Sequence, residues 1–271
     1  MQNMSLIEYF WRASQQIVML NPNEPLDKAG IEAWGSGFLL EYRESLYFIT
    51  CDHNLHLLDD YSNGERANLD FNVAIITNDR NQATPLSMGL VFVPEFYYFD
   101  SFDTFLPEIM DMKDVAFAKI KQDFPLSLLT NQLTYPNGSI AVKEGLEKLY
   151  ITEDAIAEPN AEKDFVITGC IRNHIVDDIR MDRGTTFREG IKYDANKLNI
   201  NKQFVFINPE PIIYEDWKGL SGSPIFDQDG KLVGMVNGVN EGGYDIYVTP
   251  IHFITKLIDY TIAAEIVHGK N

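Results

Sequence analysis

The segment Gly219-Leu220-Ser221-Gly222-Ser223-Pro224 is the most informative part of the sequence. A strand, a turn and a second strand are predicted directly after it, over residues 225–234 (Ile-Phe-Asp-Gln-Asp-Gly-Lys-Leu-Val-Gly). A nucleophilic serine needs its hydroxyl on a tight turn with small neighbours, and it needs backbone N–H groups directed at the place where an oxyanion forms. The glycines on both sides of Ser221 allow such a turn, so Ser221 is the candidate nucleophile.

A nucleophilic serine also needs a general base and a carboxylate that orients this base. His53 follows the apolar strand predicted over residues 46–50, in the stretch Ile-Thr-Cys-Asp-His-Asn. Asp114 stands at the start of another predicted strand, in Asp114-Val115-Ala116. The candidate residues therefore occur in the order His53, Asp114, Ser221.

Short segments rich in β-branched and aromatic residues recur along the chain, separated by Asn, Asp, Gly and Pro. They predict strands over residues 16–20, 33–42, 46–51, 71–77, 90–94, 115–120, 139–142, 149–152, 165–171, 203–207, 224–226, 232–236 and 246–248. Helical spacing of apolar residues predicts a short helix over residues 4–16 and a final one over residues 252–267. The strands do not alternate steadily with helices, which argues against a doubly wound α/β sheet. The sequence predicts an all-β protein with short terminal helices.

The chain has 271 residues, enough for one large domain or two small packed units. Forty acidic residues against 22 basic ones give a net charge of −18. This charge would repel nucleic acid phosphates and anionic lipid, so we expect neither nucleic acid nor membrane as a partner. A basic peptide or protein would be attracted.

Cys51 and Cys170 are the two cysteines, too few for a disulfide framework. The first twenty residues lack a basic start and a long apolar run, and no run of 18 apolar residues occurs in the sequence. We therefore expect a cytoplasmic protein.

Taken together, the motifs resemble those of the trypsin/chymotrypsin-like serine protease family, and within it the bacterial Deg-type branch. They are Gly-Ser-Gly-Phe at 35–38, Ile-Thr-x-x-His at 49–53, Asp-Val-Ala at 114–116, Gly-x-Ser-Gly-Ser-Pro at 219–224 and Gly-Met-Val at 234–236. Each motif alone is weak, but the ordered set covers most of the chain. The nucleophile elbow of α/β-hydrolases is a poorer match, because Ser223 stands where its second glycine belongs and the order of the triad differs.

The resemblance implies two six-stranded antiparallel β-barrels with the active site in the cleft between them. Residues 1–122 would hold the N-terminal helix and the first barrel, with His53 and Asp114. Residues 123–271 would hold the second barrel, with Ser221, and the C-terminal helix.

The resemblance also implies the roles of the site residues. Ser221 would be the nucleophile, His53 the general base and then the acid, and Asp114 the carboxylate that fixes the imidazole tautomer. The backbone N–H groups of Gly219 and Ser221 would form the oxyanion hole. Asn237, Gly238 and Val239 would form an edge strand that pairs with an extended substrate.

Two positions bear on specificity and control. Glu215 lies six residues before the nucleophile, where the family often places the floor of the specificity pocket, and a carboxylate there would favour Lys or Arg at the cleaved bond. Val239 would narrow this pocket. Secreted members of the family have an aspartate just before the nucleophile, which pairs with a newly cut N-terminus; here that residue is Leu220, so we expect no activation by N-terminal cleavage.

Several residues have other interpretations. Asp103 and Asp111 are rivals of Asp114, which the Asp-Val-Ala start favours. His56 could form a metal pair with His53, but no third ligand follows at suitable spacing, so we expect no metal and no organic cofactor. Cys51 could suggest a thiol nucleophile, but in the family this position faces the barrel core.

The sequence thus predicts a serine endopeptidase that hydrolyses peptide bonds of a protein or peptide substrate through an acyl-enzyme on Ser221. A catalytically idle protease-fold module that binds a protein partner through the same cleft is the main alternative. An esterase or acyl transferase with the same triad is a weaker one. The natural substrate, the trigger and the oligomeric state stay open.

Overall fold

The computed structural model of the chain describes residues 4–25, 30–59, 70–78, 88–93, 95–98, 114–129, 132–176, 180–198 and 202–267. The strands in this part of the chain are β1 Ser14–Leu20, β2 Ile31–Tyr42, β3 Ser45–Thr50, β4 Asn72–Asn78, β5 Met88–Phe92, β6 Tyr97–Tyr98, β7 Ala116–Ile120, β8 Leu133–Thr134, β9 Ile140–Val142, β10 Ile151–Thr152, β11 Asp164–Val176, β12 Arg180–Leu198, β13 Phe204–Ile207, β14 Pro224–Asp227, β15 Leu232–Val239 and β16 Asp245–Pro250. The helices are α1 Leu6–Ala13 and α2 Ile251–Val267, and 3₁₀ turns occur at Asp52–Asn54, Glu153–Ala155 and Tyr214–Asp216. None of the described helices is both long and apolar enough to cross a membrane.

Helix α1 is shorter than the sequence predicts. It begins after Ser5, whose hydroxyl caps the backbone N–H of Glu8. It ends at Ala13, because the chain then continues as β1, in which all seven residues are buried between β2 and β4. The pairing partners of β1 therefore override the local helical pattern at residues 14–16.

The first sheet has eight strands in the order β5-β4-β1-β2-β3-β7-β6, with β10 added to β2 by parallel pairing. Its neighbouring strands are otherwise antiparallel. β1, β2 and β3 are mostly buried along their length. This sheet curls around a core that includes Phe48, Ile75 and Leu39.

The second unit is a closed barrel in the order β11-β12-β13-β16-β15-β14. The sequence does not predict β12, which is mostly polar. Its large apolar and aromatic side chains in the described part are those of Phe187, Ile191 and Tyr193. It forms because β11 pairs with it over most of its length, from Val176↔Arg180 to Asp164↔Lys192.

A shared apolar core joins the two units and both helices. It includes Phe38, Ile49 and Phe117 of the first sheet, Phe226 and Met235 of the barrel, Phe10 of α1, and Ile254 and Ile258 of α2. The rings of Phe10 and Phe226 lie 5.3 Å apart between centroids. Because both units pack against this core, it fixes their relative position.

The predicted all-β class with two short helices is confirmed, and one closed barrel beside a curled sheet is consistent with the chymotrypsin-like double-barrel fold. The first unit differs in detail from the expected six-stranded barrel, since β10 joins it and no pairing between β5 and β6 closes it within the described residues. The division of the chain after residue 122 stays a prediction.

Candidate active site

His53 and Asp114 form a directly bonded pair. His53 lies in the 3₁₀ turn that follows β3, and Asp114 lies two residues before β7. β3 and β7 are antiparallel neighbours with Thr50 opposite Ala116, so the end of one strand meets the start of the other. His53 Nδ1 lies 2.9 Å from each carboxylate oxygen of Asp114, and the backbone N–H of His53 donates to Oδ1 at 3.1 Å. With Nδ1 donating to the carboxylate, Nε2 is the nitrogen that can accept a proton.

The pair shifts the protonation of both partners. Burial of the ring lowers the pKa of His53, but the charge and hydrogen bond of Asp114 outweigh this effect and raise the pKa above its ordinary value. Burial also raises the pKa of Asp114, and the attraction and hydrogen bonds of His53, with a hydrogen bond from Asn237, bring it below its ordinary value. The carboxylate is therefore charged at neutral pH and the imidazole is a stronger base than a free histidine.

Asn237 holds the Asp114 carboxylate from the barrel side. Its Nδ2 donates to the backbone oxygen of Asp114 at 2.8 Å and to Oδ2 at 3.0 Å. Its Oδ1 accepts the backbone N–H of Thr249 at 2.8 Å. The sequence predicts Asn237 as a substrate-binding residue and misses this buried contact, because the partners lie far apart in the chain.

Ser221 lines the same cavity as His53. Its Oγ donates to the backbone oxygen of Asn237 at 3.3 Å. In the part of the chain that the structure describes, Ser221 and His53 share no hydrogen bond, although both line one cavity. Catalytic hydrogen bonds are often long or misaligned in enzymes without substrate, and rotation about one side-chain bond redirects a serine hydroxyl.

The backbone of the Ser221 loop exposes two N–H groups. Those of Gly219 and Ser221 donate to no protein group among the described residues. Gly219 has a φ of +94°, and a Cβ there would lie 2.7 Å from the backbone oxygen of Cys170, so a side chain does not fit. Two free donors beside a serine hydroxyl have the composition of an oxyanion hole.

The first sheet supports this loop through hydrogen bonds. Ser36 donates its backbone N–H to the oxygen of Ser221 at 3.0 Å and its hydroxyl to the oxygen of Gly219 at 2.7 Å. Thr50 Oγ1 donates to the oxygen of Ser36 at 2.8 Å, and Asn54 Nδ2 donates to Thr50 Oγ1 at 2.8 Å and to the oxygen of Ser221 at 3.3 Å. The sequence motif at 35–38 contains Ser36, but Asn54 was missed, since nothing but its position after His53 marks it.

The cavity between the two units has a volume of about 450 Å³. The first sheet and its turns contribute Trp34, His53 and Leu57, and the barrel loops contribute Trp217, Ser221 and Val239. Asn237 and Gly238 also line it, as their predicted substrate-binding role requires. The predicted nucleophile, base and strand residues thus face one space.

The structure does not bring Glu215 into this cavity. Its side chain is 58 % exposed, and its carboxylate lies 2.8 Å from the ammonium of Lys218. The reason is the 3₁₀ turn Tyr214–Asp216, which directs Glu215 away while Tyr214 and Lys218 line the cavity.

Leu220 is buried at the position where secreted proteases of the trypsin/chymotrypsin-like family have an aspartate. Its side chain is 1 % exposed and packs in the barrel core with Trp217 and Ile167. The apolar packing of Leu220 therefore anchors the Ser221 loop to the barrel core. Asp103 and Asp111, the rivals of Asp114, lie outside the described residues.

Cys51, His53 and Asp114 are the group of metal-ligating side chains that lies close together in the described ranges, with donor atoms within 4.8 Å of one another. These atoms already bond inside the protein. The Cys51 thiol donates to the oxygen of Val236 at 3.3 Å, and burial raises its pKa well above the ordinary value. His53 Nδ1 and Asp114 are hydrogen-bonded to each other. The group fits a histidine–carboxylate pair beside a neutral thiol better than a metal centre.

Comparison with known proteins identifies no family for this chain. No protein-family model and no curated protein matches it. Among solved structures, the apo form of the MamO protease domain from Magnetospirillum magneticum is similar, with a TM-score of 0.48 and 11 % identity over 92 % of this chain and 97 % of that chain.

Proposed function

We propose that this chain is a serine endopeptidase that hydrolyses peptide bonds of a protein substrate through an acyl-enzyme on Ser221. The observation that carries the proposal is the His53 Nδ1 to Asp114 carboxylate contact of 2.9 Å, beside a cavity that both His53 and Ser221 line. Such a pair next to a serine is the arrangement that activates a hydroxyl for acyl transfer.

The residues have separate roles in this reaction. Ser221 Oγ attacks the carbonyl carbon of the substrate while His53 Nε2 takes the hydroxyl proton. The N–H groups of Gly219 and Ser221 stabilise the negative oxygen, each by about 3 to 4 kcal/mol. His53 then gives its proton to the leaving amine, and a water molecule, deprotonated by His53, releases the acyl group from Ser221. Asp114 keeps Nδ1 protonated and stabilises the imidazolium.

A fluorophosphonate probe tests this proposal, because it reacts with an activated serine hydroxyl and mimics the tetrahedral intermediate. We expect one adduct per chain on Ser221 by mass spectrometry, and its loss in Ser221→Ala and His53→Ala. Ser223→Ala is the matched control, because Ser223 is a neighbouring serine that is 0 % exposed and whose Oγ has no hydrogen-bond partner in the structure. An adduct that persists in Ser221→Ala would refute the assignment.

A protease-fold module without activity is the second candidate. The observation that favours it is the Ser221 hydroxyl, which bonds to the oxygen of Asn237 and not to His53. This candidate predicts no fluorophosphonate adduct on folded wild-type protein at any pH from about 6 to about 9, a range in which a histidine base becomes neutral. It also predicts that a peptide bound in the cleft is recovered uncut.

The cavity lining favours an apolar residue before the cleaved bond, in contrast to the expectation from Glu215. Trp217 and Val239 line it, and the cation among its lining residues is Lys218. The side chain of Glu32, its acidic lining residue, is exposed. Among the described residues that line the cavity, none offers a desolvated carboxylate to a buried Lys or Arg side chain.

We therefore expect peptide amides with Leu or Phe before the cleaved bond to be hydrolysed at least about tenfold faster than matched peptides with Lys or Arg. Glu215→Ala should leave this ratio unchanged, because Glu215 lies outside the cavity. The measurement is kcat/KM for a peptide series that differs at this position alone. Faster cleavage after Lys or Arg would contradict the apolar assignment.

A further inference from the structure

A second histidine–carboxylate cluster lies next to the candidate active site. His56 is 3 % exposed, and its Nδ1 lies 2.7 Å from Oδ1 of Asp52. Its Nε2 lies 2.9 Å from Oδ1 of Asp70. The ring of Tyr98 meets it edge-on with centroids 4.5 Å apart. The endopeptidase proposal gives none of these residues a role.

The contacts of both ring nitrogens indicate a charged imidazole. A neutral imidazole carries one N–H, so it can donate to one carboxylate only; an imidazolium donates to both. Asp52 is 0 % exposed, and pairing with a cation reduces the free-energy cost of burying its carboxylate. A protonated His56 donates through Nδ1 to Asp52 and through Nε2 to Asp70, whose side chain is 61 % exposed.

The cluster connects to His53 through the chain itself. Asp52 begins the 3₁₀ turn that contains His53, and its backbone oxygen accepts the N–H groups of Leu55 and His56 at 2.8 and 3.1 Å. The cluster therefore fixes both ends of the segment in which the His53 ring is oriented. Phe71, which follows Asp70, donates its backbone N–H to the oxygen of Leu55 at 2.8 Å and ties the segment to the start of β4.

Charge also connects the two histidines. Burial lowers the pKa of His53, Asp114 raises it, and the negative charge of Asp52 raises it further. The titratable groups that face His53 in the described residues include Asp114, Asp52 and Cys51. Those that face His56 in the described residues include Asp52 at Nδ1, Asp70 at Nε2 and Tyr98 at the ring. A positive charge on His56 opposes the effect of Asp52 on His53.

We propose that His56 is a positioning residue of the active site: bonded to Asp52 and Asp70, it orients the turn that carries His53 and neutralises the carboxylate next to that histidine. The proposal rests on the proposed function of His53 as the general base. It does not require His56 to touch substrate.

Titration of the imidazoles by nuclear magnetic resonance tests the proposal without an activity assay. The chain has five histidines, and the His53 signal is assigned by its loss in His53→Ala. His56→Gln removes the positive charge and should raise the pKa of His53 by about 0.5 to 1 unit. Asp52→Asn removes the negative charge and should lower it by a similar amount. Opposite shifts distinguish an electrostatic connection from general loosening of the fold, which would move both variants the same way.

His252→Gln is the matched control. His252 Nδ1 also lies near a carboxylate, that of Glu158 at 2.8 Å, but its side chain is 42 % exposed and it does not line the cavity. This variant should leave the pKa of His53 unchanged. An unchanged pKa of His53 in both His56→Gln and Asp52→Asn would overturn the proposal.

Wild-type protein provides a second test that holds even if the variants do not fold. The nitrogen chemical shifts of His56 at pH 7 should be those of a ring protonated on both nitrogens; a neutral ring would overturn the proposal. Failure of the endopeptidase proposal is detected separately, since it appears as absence of the Ser221 adduct and leaves these titrations unaffected.

Discussion

The His53 imidazole and the Asp114 carboxylate stabilise each other's charged forms. The pKa of Asp114 is lowered on folding, so its stabilising contribution is present above the ordinary pKa and is lost as the pH falls through the lowered value. The pKa of His53 is raised, so its contribution is present below the ordinary pKa and is lost as the pH rises through the raised value. The proposed reaction needs neutral His53 as the base. His53 becomes neutral as the pH rises through its raised pKa, where its stabilising contribution is lost.

The reaction of Ser221 should therefore depend on pH with a midpoint above the ordinary histidine value of about 6.5. The rate constant of fluorophosphonate labelling should rise as the pH increases through the raised pKa of His53 and then level off. The measurement is this rate constant in overlapping buffers at constant ionic strength. A midpoint below about 6.5 would show that burial of the ring outweighs the charge of Asp114, and it would contradict the raised pKa of His53.

The turn at residues 219–222 depends on both of its glycines. Gly222 has a φ of +90°, and a Cβ there would lie 2.0 Å from the backbone oxygen of Ser36 and 2.7 Å from Thr50 Oγ1. Thr50 Oγ1 donates to this Ser36 oxygen, and the backbone N–H of Ser36 donates to the oxygen of Ser221. The close approach of the two units at this point requires a residue without a side chain.

Gly222→Ala should lower the free energy of unfolding by at least about 3 kcal/mol, since strain in the left-handed region and steric overlap with backbone act together. Gly138→Ala is the control: its φ of +83° is similar, but no atom lies within 4 Å of the added Cβ. We expect a loss of about 1 to 2 kcal/mol there. Urea unfolding of both variants measures the difference, and equal losses would show that overlap with Ser36 contributes nothing.

For the molecule as a whole, the core shared by both units and the two helices determines where the cleft lies. Helix α2 follows the last barrel strand and packs Ile254, Leu257 and Ile258 into that core. Its Asp259 accepts from Tyr42 Oη at 3.0 Å and from Arg43 Nε at 2.7 Å, which connects the helix to the end of β2 in the first sheet. Surface ion pairs of this kind add at most about 1 kcal/mol, so the apolar contacts dominate.

Ile258→Ala should therefore destabilise the whole molecule by about 2 to 5 kcal/mol through loss of buried apolar volume. Ile266→Ala, in the same helix but 59 % exposed, should change the free energy of unfolding by less than about 0.5 kcal/mol. Thermal unfolding monitored by tryptophan fluorescence and by circular dichroism gives both values. Similar losses in the two variants would contradict the assigned packing of α2.

The class of the fold and the candidate residues are readable from local patterns, because alternation of apolar residues and glycine-flanked turns are properties of neighbouring positions. β12 was not readable in this way, since its polar side chains gain their place from pairing with β11. The position of Glu215 relative to Ser221 predicts it in the cavity, and this prediction is wrong. Position in a motif does not specify the course of a loop, and the 3₁₀ turn at Tyr214–Asp216 directs Glu215 outward. The cytoplasmic location stays a prediction.

Local chemistry therefore specified most of the strands, the glycine-flanked Ser221 and the histidine after β3, because each depends on residues within a few positions. The bond between His53 and Asp114, the contact of Asn237 beneath that carboxylate and the second cluster around His56 depend on residues that only chain folding brings together. Hydrogen bonds act over about 3 Å, and no pattern along the chain encodes such distances between remote segments.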